Sequence, residues 1–337
     1  MSISAFMEEN FKHFNARETL DAAKAYHEFT QNGGKMVLAL AGAMSTGEMG
    51  ISLAKMIRAG QIHAISTTGA NLEEDIFNLI GNKDYKPVPR YRYLSPEEDE
   101  QIRDQKFYRV TDTCLTYDVM VWLEKQLIPY WQAAAKNKES YFPYEYMYRL
   151  IRDGHLDGKA QIPIENSWVI AACEMDIPVY TPGWEDSTMG NAFTARVINN
   201  DISSHSVVKH GTEQFQHLIE WYKKNGLNNP IGFFEIGGGI AGDFAMCVVP
   251  CIIEDLEEEC DYWRYFCHIG DSNLTYGSYS GCASNEKVTW HKLHKETPAF
   301  SINSDATIVA PLIFHYVMEK YAEEVANKKA VHNLVFK

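Results

Sequence analysis

Apolar residues in this chain fall into short continuous runs separated by longer amphipathic stretches. Lys35–Ala41 (KMVLALA) is one such run and it stops at Gly42. A run of this length bounded by glycine predicts a strand buried on both faces. His63–Thr67, Pro178–Tyr180, Ile231–Ile236, Tyr262–Ile269 and Ala299–Ile302 are further strand candidates. Between them the apolar spacing lengthens to three and four, which predicts helices over Met49–Ala59, Leu72–Ile80, Leu115–Ala135, Trp168–Met175, Glu213–Lys224 and Ile308–Val325. Strands alternating with helices predict an α/β fold: a mostly parallel sheet with helices on both faces. Residues 1–33 are polar and helix-prone, so a short helical N-terminal extension is expected before a single large domain over 34–337. Residues 83–105, rich in Lys, Pro, Tyr and Glu, break the alternation and predict a surface excursion.

Composition then narrows the partners. Hydrophobic residues are 45% and charged residues 23% of the 337, an ordinary globular mix. Lys and Arg number 31 against 45 Asp and Glu, a net charge of −14. That excess argues against nucleic acid and suits a cationic small molecule, although it also serves solubility alone. No apolar run approaches the roughly 20 residues of a membrane span, and the first residues lack a secretory pattern, so a soluble, cytoplasmic protein is expected. Seven cysteines, an odd count without C-x-x-C spacing, are expected to be buried thiols in a reducing compartment, with no metal site.

Three segments carry candidate chemistry. In IGFFEIGGGIAGDF (231–244) a strand runs into Gly237-Gly238-Gly239 and a helix follows near Ala241. Backbone can approach a phosphate there, although glycines also serve tight turns. Gly237, Gly239 and Gly242 satisfy G-x-G-x-x-G, but the usual acid about 20 residues on falls at the start of a strand, near Asp261. In STTGANLEED (66–75), Asn71 is expected to cap a helix whose first turn carries Glu73, Glu74 and Asp75; Thr67 and Thr68 are left over. In GSYSGCASNEKVTWHKL (277–293), Glu286, Trp290 and Lys292 fall within seven residues. An indole face and a carboxylate hold an organic cation, and a partly desolvated lysine attacks an imine carbon. The same residues also fit a surface loop with a solvated lysine.

Together with LAGAMSTGEMG (40–50), ENSWVIAACEMDIPVYTPGWEDSTMGNAF (165–193) and SDATIVAPL (304–312), and in this order, the segments resemble the deoxyhypusine synthase family. The resemblance implies a Rossmann-like NAD-binding fold and a homotetramer with active sites at subunit interfaces. It implies a transferase that oxidises spermidine with NAD, carries the aminobutyl group on an enzyme lysine and passes it to an amine acceptor. In the parent enzymes that acceptor is a protein lysine; a free diamine, as in homospermidine synthesis, and a non-catalytic NAD-binding protein are the alternatives.

By position, Lys292 matches the imine-forming lysine, and Glu286, Trp290, Gly277 and Glu74 match the surroundings of the polyamine. Ser45, Thr68, Gly69, Asp186, Gly237, Gly238 and Gly239 match cofactor positions, as do Asp271, Ser272, Asp305 and Ala306. Three substrate positions depart from the family: Asn191 and Tyr279 stand where it has aspartates, and Asp243 where it has a histidine. A cation that loses a buried carboxylate typically costs several kcal/mol, so an altered amine substrate is expected.

Overall fold

The computed structural model describes residues 1–278 and 282–335, with the side chains of the last helix described through residue 327. In chain order the elements are α1 (Ile3–Asn10), α2 (Phe14–Gln31), β1 (Lys35–Leu40), α3 (Gly50–Arg58), β2 (Ala64–Thr67), α4 (Gly69–Gly81), β3 (Lys86–Pro87) and α5 (Pro96–Asp104). Next come β4 (Phe107–Val110), β5 (Thr113–Thr116), α6 (Tyr117–Asn137), α7 (Pro143–Arg152), α8 (Trp168–Glu174), β6 (Val179–Tyr180), α9 (Thr188–Ile198) and α10 (Gly211–Gly226). The chain closes with β7 (Ile231–Ile236), α11 (Ile240–Met246), α12 (Val248–Pro250), β8 (Phe266–Gly270), β9 (Ala299–Asn303) and α13 (Ala306–Val335). Two compact units result: Met1–Ala41 with Lys55–Ser66 and Phe215–Lys337, and Gly42–Ala54 with Thr67–Gln214.

The first unit is the α/β part expected from the apolar runs. Its strands stand in the order β2-β1-β7-β8-β9. β1 pairs parallel with β7, β7 with β8, and β8 with β9. Every residue of β7 is buried, because helices cover both sides of it. On one face Phe234 meets Tyr26 of α2 at 5.5 Å and Phe314 of α13 at 5.3 Å. On the other, Phe233 meets Trp263 at 4.9 Å, and Trp263 packs against Tyr222 of α10. Each such ring contributes about 1.5–3 kcal/mol by leaving water. The Tyr26 hydroxyl keeps its polar end satisfied by donating to the Gln61 carbonyl at 2.8 Å.

The second unit is mainly helical and is built around α4, which is buried on nearly every side. Trp131 of α6 and Phe193 of α9 meet at 5.2 Å in its core. Residues 83–105 are more ordered than a plain surface excursion. Lys86–Pro87 joins a three-stranded antiparallel sheet, β3-β5-β4, and Ser95 with Glu98 forms a capping box that starts α5. The helix expected from Leu115 begins at Tyr117, because Thr113–Thr116 pairs with β4 first. The strand expected from Tyr262 begins at Phe266; Trp263 makes only an isolated bridge to Leu293.

Candidate functional site

At the carboxyl end of β7 the chain turns through Gly237-Gly238-Gly239 into α11. Gly237 and Gly239 have φ of 74° and 68°, in the region that favours glycine. Gly239, with ψ of −150°, has no described atom within 4 Å of the point where a side chain would begin. That open, side-chain-free backbone can receive a phosphate. The other two glycines of the G-x-G-x-x-G pattern serve packing instead. A Cβ on Gly237 would stand 2.9 Å from the Ala41 Cβ, and one on Gly242 would stand 2.0 Å from Glu235 Oε1. His268 of β8 holds the turn by donating from Nε2 to the Gly237 carbonyl at 2.7 Å. Burial lowers this imidazole to about 4, so it stays neutral near pH 7. Asp271 is exposed just past the carboxyl end of β8, with the half-buried Ser272 beside it.

The same unit holds a cavity of about 470 Å³ lined by Lys292, Lys287, Glu286, Trp290, Gly277, Cys247, Cys251 and Cys282, among others. Lys292 is only 7% exposed. Its Nζ lies 3.3 Å from Asp243 Oδ1, on the first turns of α11. The other oxygen of Asp243 is buried, without a hydrogen-bond partner among the described residues. Burial raises this carboxyl from its ordinary value, and the lysine charge opposes the rise. Glu235, wholly inside β7, is pushed up to about 7 by burial, against the attraction of Lys287 and Lys292. Trp290 and Glu286 stand exposed at the same cavity, the indole at 63%. A buried amine, a carboxylate in reach of it, and an indole with a second carboxylate on the wall are the parts for imine chemistry on a cationic amine.

The second unit uses its acids differently. Glu73, Glu74 and Asp75 are all buried. Asp75 accepts from the Trp168 and Val169 backbone N–H groups at 3.3 and 3.1 Å and from the Ser167 hydroxyl, so it caps α8. Glu73 accepts from the Thr188 and Met189 N–H groups at 2.8 Å each, and caps α9. Glu74 accepts from the Thr46 hydroxyl at 2.7 Å. None of the three lies in the first turn of its own helix, and Thr68 rather than Asn71 is the cap: its hydroxyl accepts from the Asn71 N–H at 3.2 Å.

Comparison with known proteins places the chain in a family. The family model described as "DS: Deoxyhypusine synthase" matches residues 6–317. The chain belongs to the deoxyhypusine synthase family. It is 26% identical over 312 residues to "Probable deoxyhypusine synthase 1" of Archaeoglobus fulgidus, covering 92% of this chain and 91% of that one. It is 24% identical to "Probable deoxyhypusine synthase 2" of Methanosarcina acetivorans, covering 95% and 87%. A "Deoxyhypusine synthase-like protein" of Cyanothece is 26% identical, covering 87% and 72%. The crystal structure of an Entamoeba histolytica protein assigned as a deoxyhypusine synthase superposes with a TM-score of 0.54 at 11% identity, covering 94% and 92%, and so shares the fold. No helix among the described residues is long and apolar enough to cross a membrane.

Several residues matched to the deoxyhypusine synthase family have a structural occupation here. Ser45 is 1% exposed; its hydroxyl donates to the Asn71 carbonyl at 2.7 Å and accepts from the Trp168 indole at 2.9 Å. Thr68, besides capping α4, donates to the Gly42 carbonyl at 2.8 Å. A side chain at Gly69 would meet Ser187 Cβ at 2.7 Å. Asn191 spends its amide on the carbonyls of Glu185 and Ser187, at 2.7 and 2.8 Å, while Asp186 is exposed. Asp305 accepts from the Thr307 N–H and hydroxyl and heads α13, where Ala306 is the first residue. Tyr279 lies outside the described residues.

The expectation for the cysteines needs correction. Cys247, Cys251, Cys260 and Cys282 are half-buried rather than buried, and three of them wall the cavity. Glu235 and Lys287 are charged residues of the site that sequence reasoning passed over. Their signals were an acid inside the apolar run FFEI, and a second lysine between Glu286 and Trp290 in NEKVTWHKL.

Proposed function

We propose that the protein is an NAD-dependent transferase that moves an aminobutyl or related aminoalkyl group from spermidine or a similar polyamine to an amine acceptor, through an imine on Lys292. The observation that carries this reading is the buried Lys292 ammonium 3.3 Å from Asp243, in a cavity shared with Trp290 and Glu286. A lysine attacks carbon only after losing a proton. Asp243 is the carboxylate within reach of Nζ to take it, and burial of that carboxylate favours proton uptake. The free amine then bonds to the imine carbon of the oxidised donor and the donor's remaining amine departs with a proton. Attack by the acceptor amine releases Lys292. Glu286 and the Trp290 face hold the cationic chain meanwhile.

The glycine turn fits the pyrophosphate of NAD because Gly239 leaves its backbone open, and Asp271 fits a ribose hydroxyl. Bound there, NAD would supply hydride-accepting and hydride-donating chemistry to the amine carbon. Assembly as a homotetramer belongs to the same reading. Its support is the exposed apolar surface of Ile240, Leu274, Tyr276 and Trp290.

The acceptor is a protein lysine or a free diamine, as in homospermidine synthesis. Asn191, whose amide is taken up by two carbonyls, favours a substrate that differs from the family's own. The test is Lys292→Ala, assayed for NADH formation with polyamines and for product mass. Transfer should vanish while NAD still binds; full transfer by the variant contradicts the proposal.

A further inference from the structure

Lys287 is not among the positions carried over from the family, yet it is 6% exposed and lines the same cavity as Lys292. The two lysines are held differently. Lys292 has Asp243 at 3.3 Å. The Lys287 ammonium donates to the Cys282 thiol at 3.0 Å and lies 5.2 Å from the centre of the Phe266 ring. No carboxylate among the described residues stands within ion-pairing distance of it. Glu235 and Asp243 attract it only at longer range, and burial pushes Glu235 up to about 7, so that acid is about half protonated at neutral pH. An ammonium has three donors, and a thiol is a weak acceptor for one of them. A cation this buried with no described anion in contact is costly, and an anionic group entering the cavity offsets that cost.

The cavity lining also carries charges of the opposite sign. Asp255 and Glu286 belong to it and are both exposed. The wall therefore offers cations at its buried end and carboxylates at its exposed end. A plain polyamine satisfies only the second. We infer that the acceptor amine received in this cavity carries a carboxylate, as a diamino acid does, and that Lys287 is the specificity-determining residue that receives it. This rests on the reading that the cavity holds the amine substrate.

Ornithine and putrescine differ by one carboxylate, so calorimetric titration of the full chain with each, with and without saturating NAD, is the test. Wild type should bind ornithine about ten- to a hundredfold tighter, the worth of a hydrogen bond to a charged group. Lys287→Met should bring the two ligands to parity, and Lys287→Arg should keep the preference. Equal or tighter putrescine binding by wild type overturns the inference. So does a preference that survives in Lys287→Met, or a Lys287→Met defect confined to NAD, which would assign the anion to the dinucleotide phosphate. If Lys287→Met does not fold, the wild-type comparison decides alone. An ornithine preference without any imine on Lys292 would sink the transferase reading and leave this one standing.

Discussion

Both units bury acids, and they use them in opposite ways. In the second unit Glu73 and Asp75 give their oxygens to backbone N–H groups at the starts of α9 and α8. Those bonds satisfy helix ends that burial would otherwise leave unpaired. In the first unit Asp243 faces a lysine with one oxygen unpartnered among the described residues, and Glu235 touches the space of a glycine. Burial raises Glu73 and Glu235 alike, to about 7. A shifted carboxyl therefore does not by itself mark a reactive site. What separates the two clusters is whether the acid's partners are backbone or reactive side chains beside a cavity.

The comparison can be broken by substitution. The largest effect belongs to Lys292→Ala, which should lower the transfer rate by about a thousandfold or more. Its unfolding in urea should be weakened by only about 1–2 kcal/mol, the cost of leaving Asp243 without the cation 3.3 Å away. Asp75→Ala reverses the pattern. It strands two buried N–H groups and a hydroxyl, and should cost about 3 kcal/mol in the same urea experiment. Gly242→Ala comes next, at about 2 kcal/mol, because its methyl collides with Glu235; Glu235→Ala in the same chain should relieve the loss.

Smaller effects separate the two raised glutamates by pH. A folded-state value near 7, above the ordinary 4.5, means that the folded state holds the proton more tightly than the unfolded chain. The stability each group contributes is full below about pH 4.5 and is lost as pH rises through about 7. Glu235→Gln removes that loss, so the variant should gain on wild type between pH 5 and 8, by about 1–3 kcal/mol. Glu73→Gln removes the same titration but puts an amide N–H₂ against the α9 N–H groups, and should be less stable than wild type at pH 8. Chemical denaturation at both pH values checks the pair. If Glu235→Gln behaves like Glu73→Gln, the two clusters are not different in kind.

The fold was legible where burial is continuous. β7 matches its predicted run residue for residue, because a central parallel strand needs apolar side chains on both faces. The start of β8 was less legible. Tyr262 to Tyr265 have strand-like residues, yet Trp263 is buried through ring packing rather than strand pairing. The hairpin at Thr113–Thr116 was hidden for a related reason: its pairing with β4 is a contact between segments, and the apolar spacing there continues into α6. At the site, Lys292 and its neighbours were legible as a motif. The work of Glu73 and Asp75 was not, because their partners lie more than 90 residues away in sequence. The glycine pattern was half legible: it marked an open turn at Gly239, but nothing local says that Gly242 makes room for Glu235.

The central claim is that Lys292 carries the transferred group. Incubation of the protein with NAD and an amine donor, reduction with borohydride and mass mapping of the peptides tests it directly. The account predicts an aminoalkyl adduct on Lys292, formed only when both donor and NAD are present and missing from Lys292→Ala. Turnover of the donor with Lys292 unmodified, or with the adduct on another residue, would contradict it.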